Sequence, residues 1–181
     1  MSSTSIQRVG SLSELIAPVR AAARQICTPA ETANLVAGVL RRGLPDRRIL
    51  TPVQLAGDPD RYAQHVLWAE PDGCFSIVAL VWRPGQTTPI HDHVAWCVVG
   101  VMEGVEEETR YRLVSTDGRP GLQLSGVDYN PAGTVCAIAP PGDIHCVRNA
   151  GADVAVSLHV YGADIHRLGS SVRRNYDLPL V

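Results

Sequence analysis

The sequence predicts a mainly β molecule: a double-stranded β-helix, the small jelly-roll barrel, with two α-helices ahead of it. Three observations carry this prediction. Helix-start signals are confined to about the first fifty of 181 residues. From about residue 50 onward, apolar runs of strand length are bounded by turn signals. Thirteen prolines and sixteen glycines supply the turns that an all-β body needs. No helix-length pattern lies between the strands, which argues against a parallel βαβ sheet. The expected organisation is one domain over residues 1–181, with a helical part over about 1–48, a barrel over about 50–165 and a C-terminal extension over 166–181.

Ser11-Leu12-Ser13-Glu14 has the form of a capping box, and Leu12, Leu15, Ile16 and Val19 follow at helical spacing. Thr28-Pro29-Ala30-Glu31 is a second helix start with proline at the first helical position, and Leu35, Val36, Val39 and Leu40 form its apolar stripe up to Gly43. Helices are expected over about 12–26 and 29–42. The period then changes to strands at Phe75–Trp82, Trp96–Met102, Glu107–Val114, Thr134–Ala139 and Val154–Tyr161. Ser115-Thr116-Asp117-Gly118 marks a turn after the third of these.

Composition removes several classes of function. A formal net charge of -2 gives no general attraction to nucleic acid or anionic membrane. No apolar run approaches the ~20 residues that cross a bilayer, and Met1 to Gly10 lacks the apolar core of a secretory leader. Five cysteines, odd in number and without paired spacing, argue against a disulfide framework and for a reducing cytoplasm. A monomer or small homo-oligomer is expected.

Two stretches carry the chemistry. Pro89-Ile90-His91-Asp92-His93 puts two histidines on one face of a strand, because side chains alternate with period two. Pro140-Pro141-Gly142-Asp143-Ile144-His145 brings a third histidine after a rigid turn. Three imidazoles on strands can hold a divalent metal on one side and leave the other open. A third pattern places Ser157, His159 and Tyr161 on one face of the last long strand, where each can orient the next by hydrogen bonding. Cys27, Cys74, Cys136 and Cys146 are read as packing residues, and His65 and His166 as ordinary polar ones.

Gly85, His91, His93 and Gly104 resemble the first cupin motif, with Cys97 where a glutamate ligand normally stands. Gly133, Pro140, Gly142, His145 and Asn149 resemble the second, with one extra residue between Gly133 and Pro140. Together with Ser157, His159 and Tyr161, over about residues 58 to 176, the chain resembles the thiol dioxygenases of the cysteine dioxygenase family. The resemblance implies Fe(II) on His91, His93 and His145, an outer relay of Ser157, His159 and Tyr161, and conversion of a small thiol and O2 to a sulfinic acid. Cysteine-specific members carry an arginine where this chain has Gln64, so the resemblance implies the subgroup acting on 3-mercaptopropionate and related thiol acids. It also implies carboxylate binding by a C-terminal arginine, Arg173 or Arg174, with Arg167 a weaker candidate. Cys97 aligns with the cysteine that forms a thioether to the active-site tyrosine in mammalian-type members. A crosslink to Tyr161 and a small buried hydrophobe both stand as readings. The competing functions are a cupin enzyme on a non-thiol substrate and a non-catalytic metal- or ligand-binding sensor. The inward relay discriminates against the sensor, which has no need of one.

Overall fold

The computed structural model describes residues 11–181; the stretch read for a secretory leader, 1–10, lies outside the described residues. Helix α1 spans Leu12–Ala23 and α2 spans Pro29–Gly43. The Ser11 N–H donates to Glu14 Oε2, as the capping box requires. At α2, the Thr28 N–H donates to Glu31 Oε2 at 2.8 Å and the Glu31 N–H returns to Thr28 Oγ1 at 3.3 Å. Helix α1 stops three residues short of the expected end: Arg24 leaves the helix, and its guanidinium reaches Glu70 and Asp72 instead. A 3-10 turn at Arg47–Ile49 and the short α3 at Pro52–Leu55 lead into the barrel.

Among the described residues, ten strands form two antiparallel five-stranded sheets. The first holds, in spatial order, β1 (Ala63–Ala69), β2 (Ser76–Trp82), β9 (Ala155–Tyr161), β4 (Cys97–Glu103) and β7 (Val135–Ile138). The second holds β10 (Val172–Asn175), β3 (His91–His93), β8 (His145–Asn149), β5 (Val105–Thr116) and β6 (Arg119–Pro131). A short helix α4, Ile165–Leu168, precedes β10. The mainly β, double-stranded β-helix architecture with N-terminal helices is the one the sequence predicts.

The central strands β2 and β9 of the first sheet are buried on both faces, and this is what builds the site. Ile77, Ala79 and Val81 of β2 and Val156, Leu158 and Val160 of β9 pack outward against Leu15, Val19, Val36 and Leu40 of the helices. Each such fully buried valine, leucine or isoleucine contributes about 1.5–3 kcal/mol. The alternate residues of those strands therefore face the barrel interior, where Val78, Leu80, Trp82 and Tyr161 cluster with Cys97. Two glycines are fixed by close approach. A Cβ at Gly100 would meet Leu44 Cδ1 at 2.3 Å, so the end of α2 sits directly on β4 there. Gly104 has φ +79°, and a Cβ would meet the Ala155 backbone at 2.8 Å, which explains the glycine of the first motif.

Five strands were not in the sequence reading as runs of their own: β1, β3, β6, β8 and β10. Strand β6 carries Pro120, Gly121, Gly126 and Pro131, which hide its pattern, and an edge position tolerates them. The expected turn after β5 is a tight hairpin with Asp117 at φ 51° and Gly118 at φ 77°.

Candidate metal centre and its cavity

His91 and His93 lie on β3 with His145 opposite His91 on β8. All three are buried, and their ligand atoms lie within 4.8 Å of one another. Each ring has its Nδ1 occupied. His91 Nδ1 bonds the Pro89 carbonyl at 2.9 Å, His93 Nδ1 bonds Asp143 Oδ2 at 3.0 Å, and His145 Nδ1 bonds Glu108 Oε1 at 2.6 Å. That leaves Nε2 of each as the free nitrogen, with its tautomer fixed by the acceptor behind it. Burial, then the neighbouring His145 and His93, push the His91 pKa down to about 4, so the ring is neutral and able to ligate at neutral pH. Burial raises the Asp143 carboxyl, but hydrogen bonds from His93 outweigh it and hold the group below its ordinary range. The donor set fits a divalent metal with open positions.

Beside these rings, β9 places Ser157, His159 and Tyr161 in one buried file. Ser157 Oγ lies 2.9 Å from His159 Nε2, and Tyr161 OH lies 3.1 Å from His159 Nδ1. Burial lowers the His159 pKa to about 3 and pushes the Tyr161 phenol well up. The Tyr161 ring is 6.2 Å from that of His93, which puts the outer end of the file next to the metal centre. Cys97 is the direct cross-strand partner of Tyr161, and its Sγ is 3.8 Å from His159 Nδ1.

The three metal-site histidines, Cys97, His159 and Tyr161 line one cavity of about 50 Å³, with Tyr62, Gln64 and Ser171 also in its wall. Tyr62 stacks on Trp82 at 4.4 Å. Gln64 lies in that wall. Arg173 and Arg174 do not. Val172 pairs with His93, while Arg174 pairs with Asp92, whose side chain faces away from the histidines. Arg173 donates to Asp92 Oδ2 together with Tyr176 OH, and Arg174 lies over the Tyr176 ring. Arg167 pairs with Asp164. Among the described residues no lysine or arginine lines the cavity, so the expected carboxylate-binding arginine has no counterpart in this arrangement.

Four cavity or supporting residues escaped the sequence reading. Glu106 and Glu108 both point inward from β5, whereas Glu107 between them pairs outward with Arg148. The alternation was the available signal, masked by three consecutive glutamates. Asp143 supports His93, and Cys136, read as packing, lines the cavity.

The fold and site define a cupin with a three-histidine metal site. The chain belongs to the cysteine dioxygenase type I family, whose model matches residues 52–169. It is therefore a thiol-dioxygenase-type cupin, an oxidoreductase of the cysteine dioxygenase kind. Among solved structures it is similar to TT1209 from Thermus thermophilus, at 24% identity over 64% of this chain and 96% of that one, with a TM-score of 0.45. It is also similar to a conserved double-stranded β-helix protein from Klebsiella pneumoniae, at 18% identity over 65% of this chain and 86% of that one, with a TM-score of 0.48. No helix among the described residues is long and apolar enough to cross a membrane.

Proposed function

We propose that this protein is a non-haem Fe(II) dioxygenase that adds both atoms of O2 to the sulfur of a small carboxylate-bearing thiol, 3-mercaptopropionate-like or cysteine. RSH plus O2 gives RSO2H, so atoms and electrons balance without an external reductant. The carrying observation is the three-imidazole centre beside a buried Ser157–His159–Tyr161 chain. His91, His93 and His145 would hold the iron. Iron there would supply the redox chemistry and, with no carboxylate in its ligand set, the positive charge that favours a thiolate.

The protein's own residues do the rest. The apolar walls exclude bulk water, and Tyr161 holds a hydroxyl toward the reacting sulfur. Gln64 offers hydrogen bonds to the substrate carboxylate without neutralising it. Five free cysteines suit a reducing, cytoplasmic setting.

The test is oxygen uptake after anaerobic loading with Fe(II), against a panel of thiols with sulfinate detection. Wild type consumes O2 with 3-mercaptopropionate or cysteine, His91→Ala, His93→Ala and His145→Ala lose bound iron, and Tyr161→Phe keeps iron but turns over more slowly. Iron retained by all three alanine variants refutes the ligand assignment.

A further inference from the structure

The cavity beside the histidines offers a carboxylate no guanidinium or ammonium partner. Its wall brings two carboxyls, Glu106 and Glu108, and no lysine or arginine among the described residues. Burial raises the Glu106 pKa to about 7, and above that pH its charge repels an anion. The positive charge for a thiol acid must therefore stand outside this wall.

A second, wider recess meets the cavity at Tyr62 and Gln64, which line both. It holds about 460 Å³ and is completed by Asp58, Arg61, Ala63 and His65. Gln64 is exposed and yet lines the inner cavity, so it stands at the threshold between the two spaces. Arg61 supplies the positive charge of the recess. Its side chain is 83% exposed, and its Nε lies 3.8 Å from Asp58 Oδ2, beyond hydrogen-bonding reach. An arginine held this loosely can turn to a new partner. Arg83 is differently placed, since it is committed to the Ala56 carbonyl at 3.1 and 3.3 Å. The backbone leading into Arg61 is pinned. Gln86 Nε2 donates to the Asp58 carbonyl at 2.9 Å, and the Asp60 N–H donates to Asp58 Oδ1 at 2.8 Å. Burial raises the Tyr62 phenol and the Arg61 charge pulls against it, so the field of the guanidinium reaches the cavity wall.

We propose that Arg61 is the substrate's carboxylate-binding residue. The thiol enters toward the three histidines, and the carboxylate stays at the threshold, hydrogen-bonded by Gln64 and neutralised by Arg61. The inference rests on the reading of a carboxylate-bearing thiol as substrate, and deepens it. Gln64 can donate hydrogen bonds but brings no charge, whereas a guanidinium brings charge and paired N–H donors together. In taking the substrate, Arg61 exchanges a long contact with Asp58 for a short one. Selection for acids then lies at the mouth, and the inner cavity selects for the thiol.

The test is calorimetric titration of the Fe(II)-loaded full chain in the absence of O2. The two probes are 3-mercaptopropionate and 1-propanethiol, which has the same number of carbons and no carboxylate. Wild type binds the acid more tightly, and added salt weakens that preference. Arg61→Ala weakens binding of the acid about fivefold, the size of an exposed charge pair, and leaves propanethiol unchanged. Arg61→Lys, which keeps the charge, retains part of the preference. A wild type without acid preference, a loss shared equally by both thiols, or a preference that survives Arg61→Ala overturns the proposal. A wild type that binds neither thiol defeats the thiol reading and this inference together. Acid preference without subsequent O2 uptake defeats only the dioxygenase reading.

Discussion

At the residue scale, the groups behind the histidines shape the metal centre as much as the histidines themselves. Glu108 holds His145 Nδ1 at 2.6 Å in a buried setting, fixing which nitrogen is free to ligate. Glu108→Gln keeps the volume and loses the charged acceptor. Metal affinity should fall by about 10–100-fold, read by competition with a chelator, with the melting temperature little changed. Unchanged affinity would show that Glu108 does not orient the ring. Glu106 gives a second prediction, through stability. Its folded pKa of about 7 stands above its ordinary 4.5, so between those values the folded state binds more protons than the unfolded chain. Stability then falls as pH rises through that window, and the penalty levels off above it at roughly 3 kcal/mol. Glu106→Gln should remove this slope, so its advantage over wild type in urea denaturation grows from pH 4.5 to 7. Parallel pH profiles of the two proteins would contradict it. The histidines and the Ser157–His159–Tyr161 file were legible in the sequence because period-two spacing on a strand fixes their common face. Glu106 and Glu108 were not, because an unbroken Glu106-Glu107-Glu108 run reads as a solvated stripe until the strand's inner side is known.

At the element scale, β10 locks the strand that carries two of the histidines. Asp92 lies between His91 and His93, is 1% exposed, and accepts from Arg173 and Tyr176 on the far side of the sheet from the cavity. Burial raises the Asp92 carboxyl, but the Arg173 and Tyr176 hydrogen bonds outweigh it and hold the group below its ordinary range. Arg173→Ala and Tyr176→Phe should each cost about 1–3 kcal/mol of stability, the usual loss when a buried charged acceptor loses a donor. Both should lower the denaturant midpoint together, with no selective rise in KM for thiol acids. An Arg173→Ala protein with wild-type stability and a steeply raised KM would return that arginine to substrate binding. The α-helices were readable from their capping boxes, and β2, β4 and β9 from apolar runs. Strand β10 was not, since Val172-Arg173-Arg174-Asn175 has neither an apolar run nor alternation and is held by its pairing with β3. The same fact explains the misplaced arginines: a face set by register to Asp92 cannot be read from spacing alone.

At the scale of the whole molecule, the helices and the chemistry occupy opposite faces of one sheet. Helices α1 and α2 cover the outer side of β2, β9 and β4, and this cover lets the inner side carry Ser157, His159, Tyr161 and a cavity without exposing them to bulk water. The barrel was predictable as a class from its turns and strand runs, because those patterns record burial. The pairing order was not, because long-range partners such as β2 with β9 leave no local mark. The proposed reaction is insertion of dioxygen into a thiol at the three-histidine centre. Turnover of the iron-loaded protein under isotopically labelled O2, with mass spectrometry of the product, tests it most directly. The expected product is a sulfinic acid carrying both oxygen atoms from O2. A disulfide, or a product whose oxygen comes from water, would contradict it.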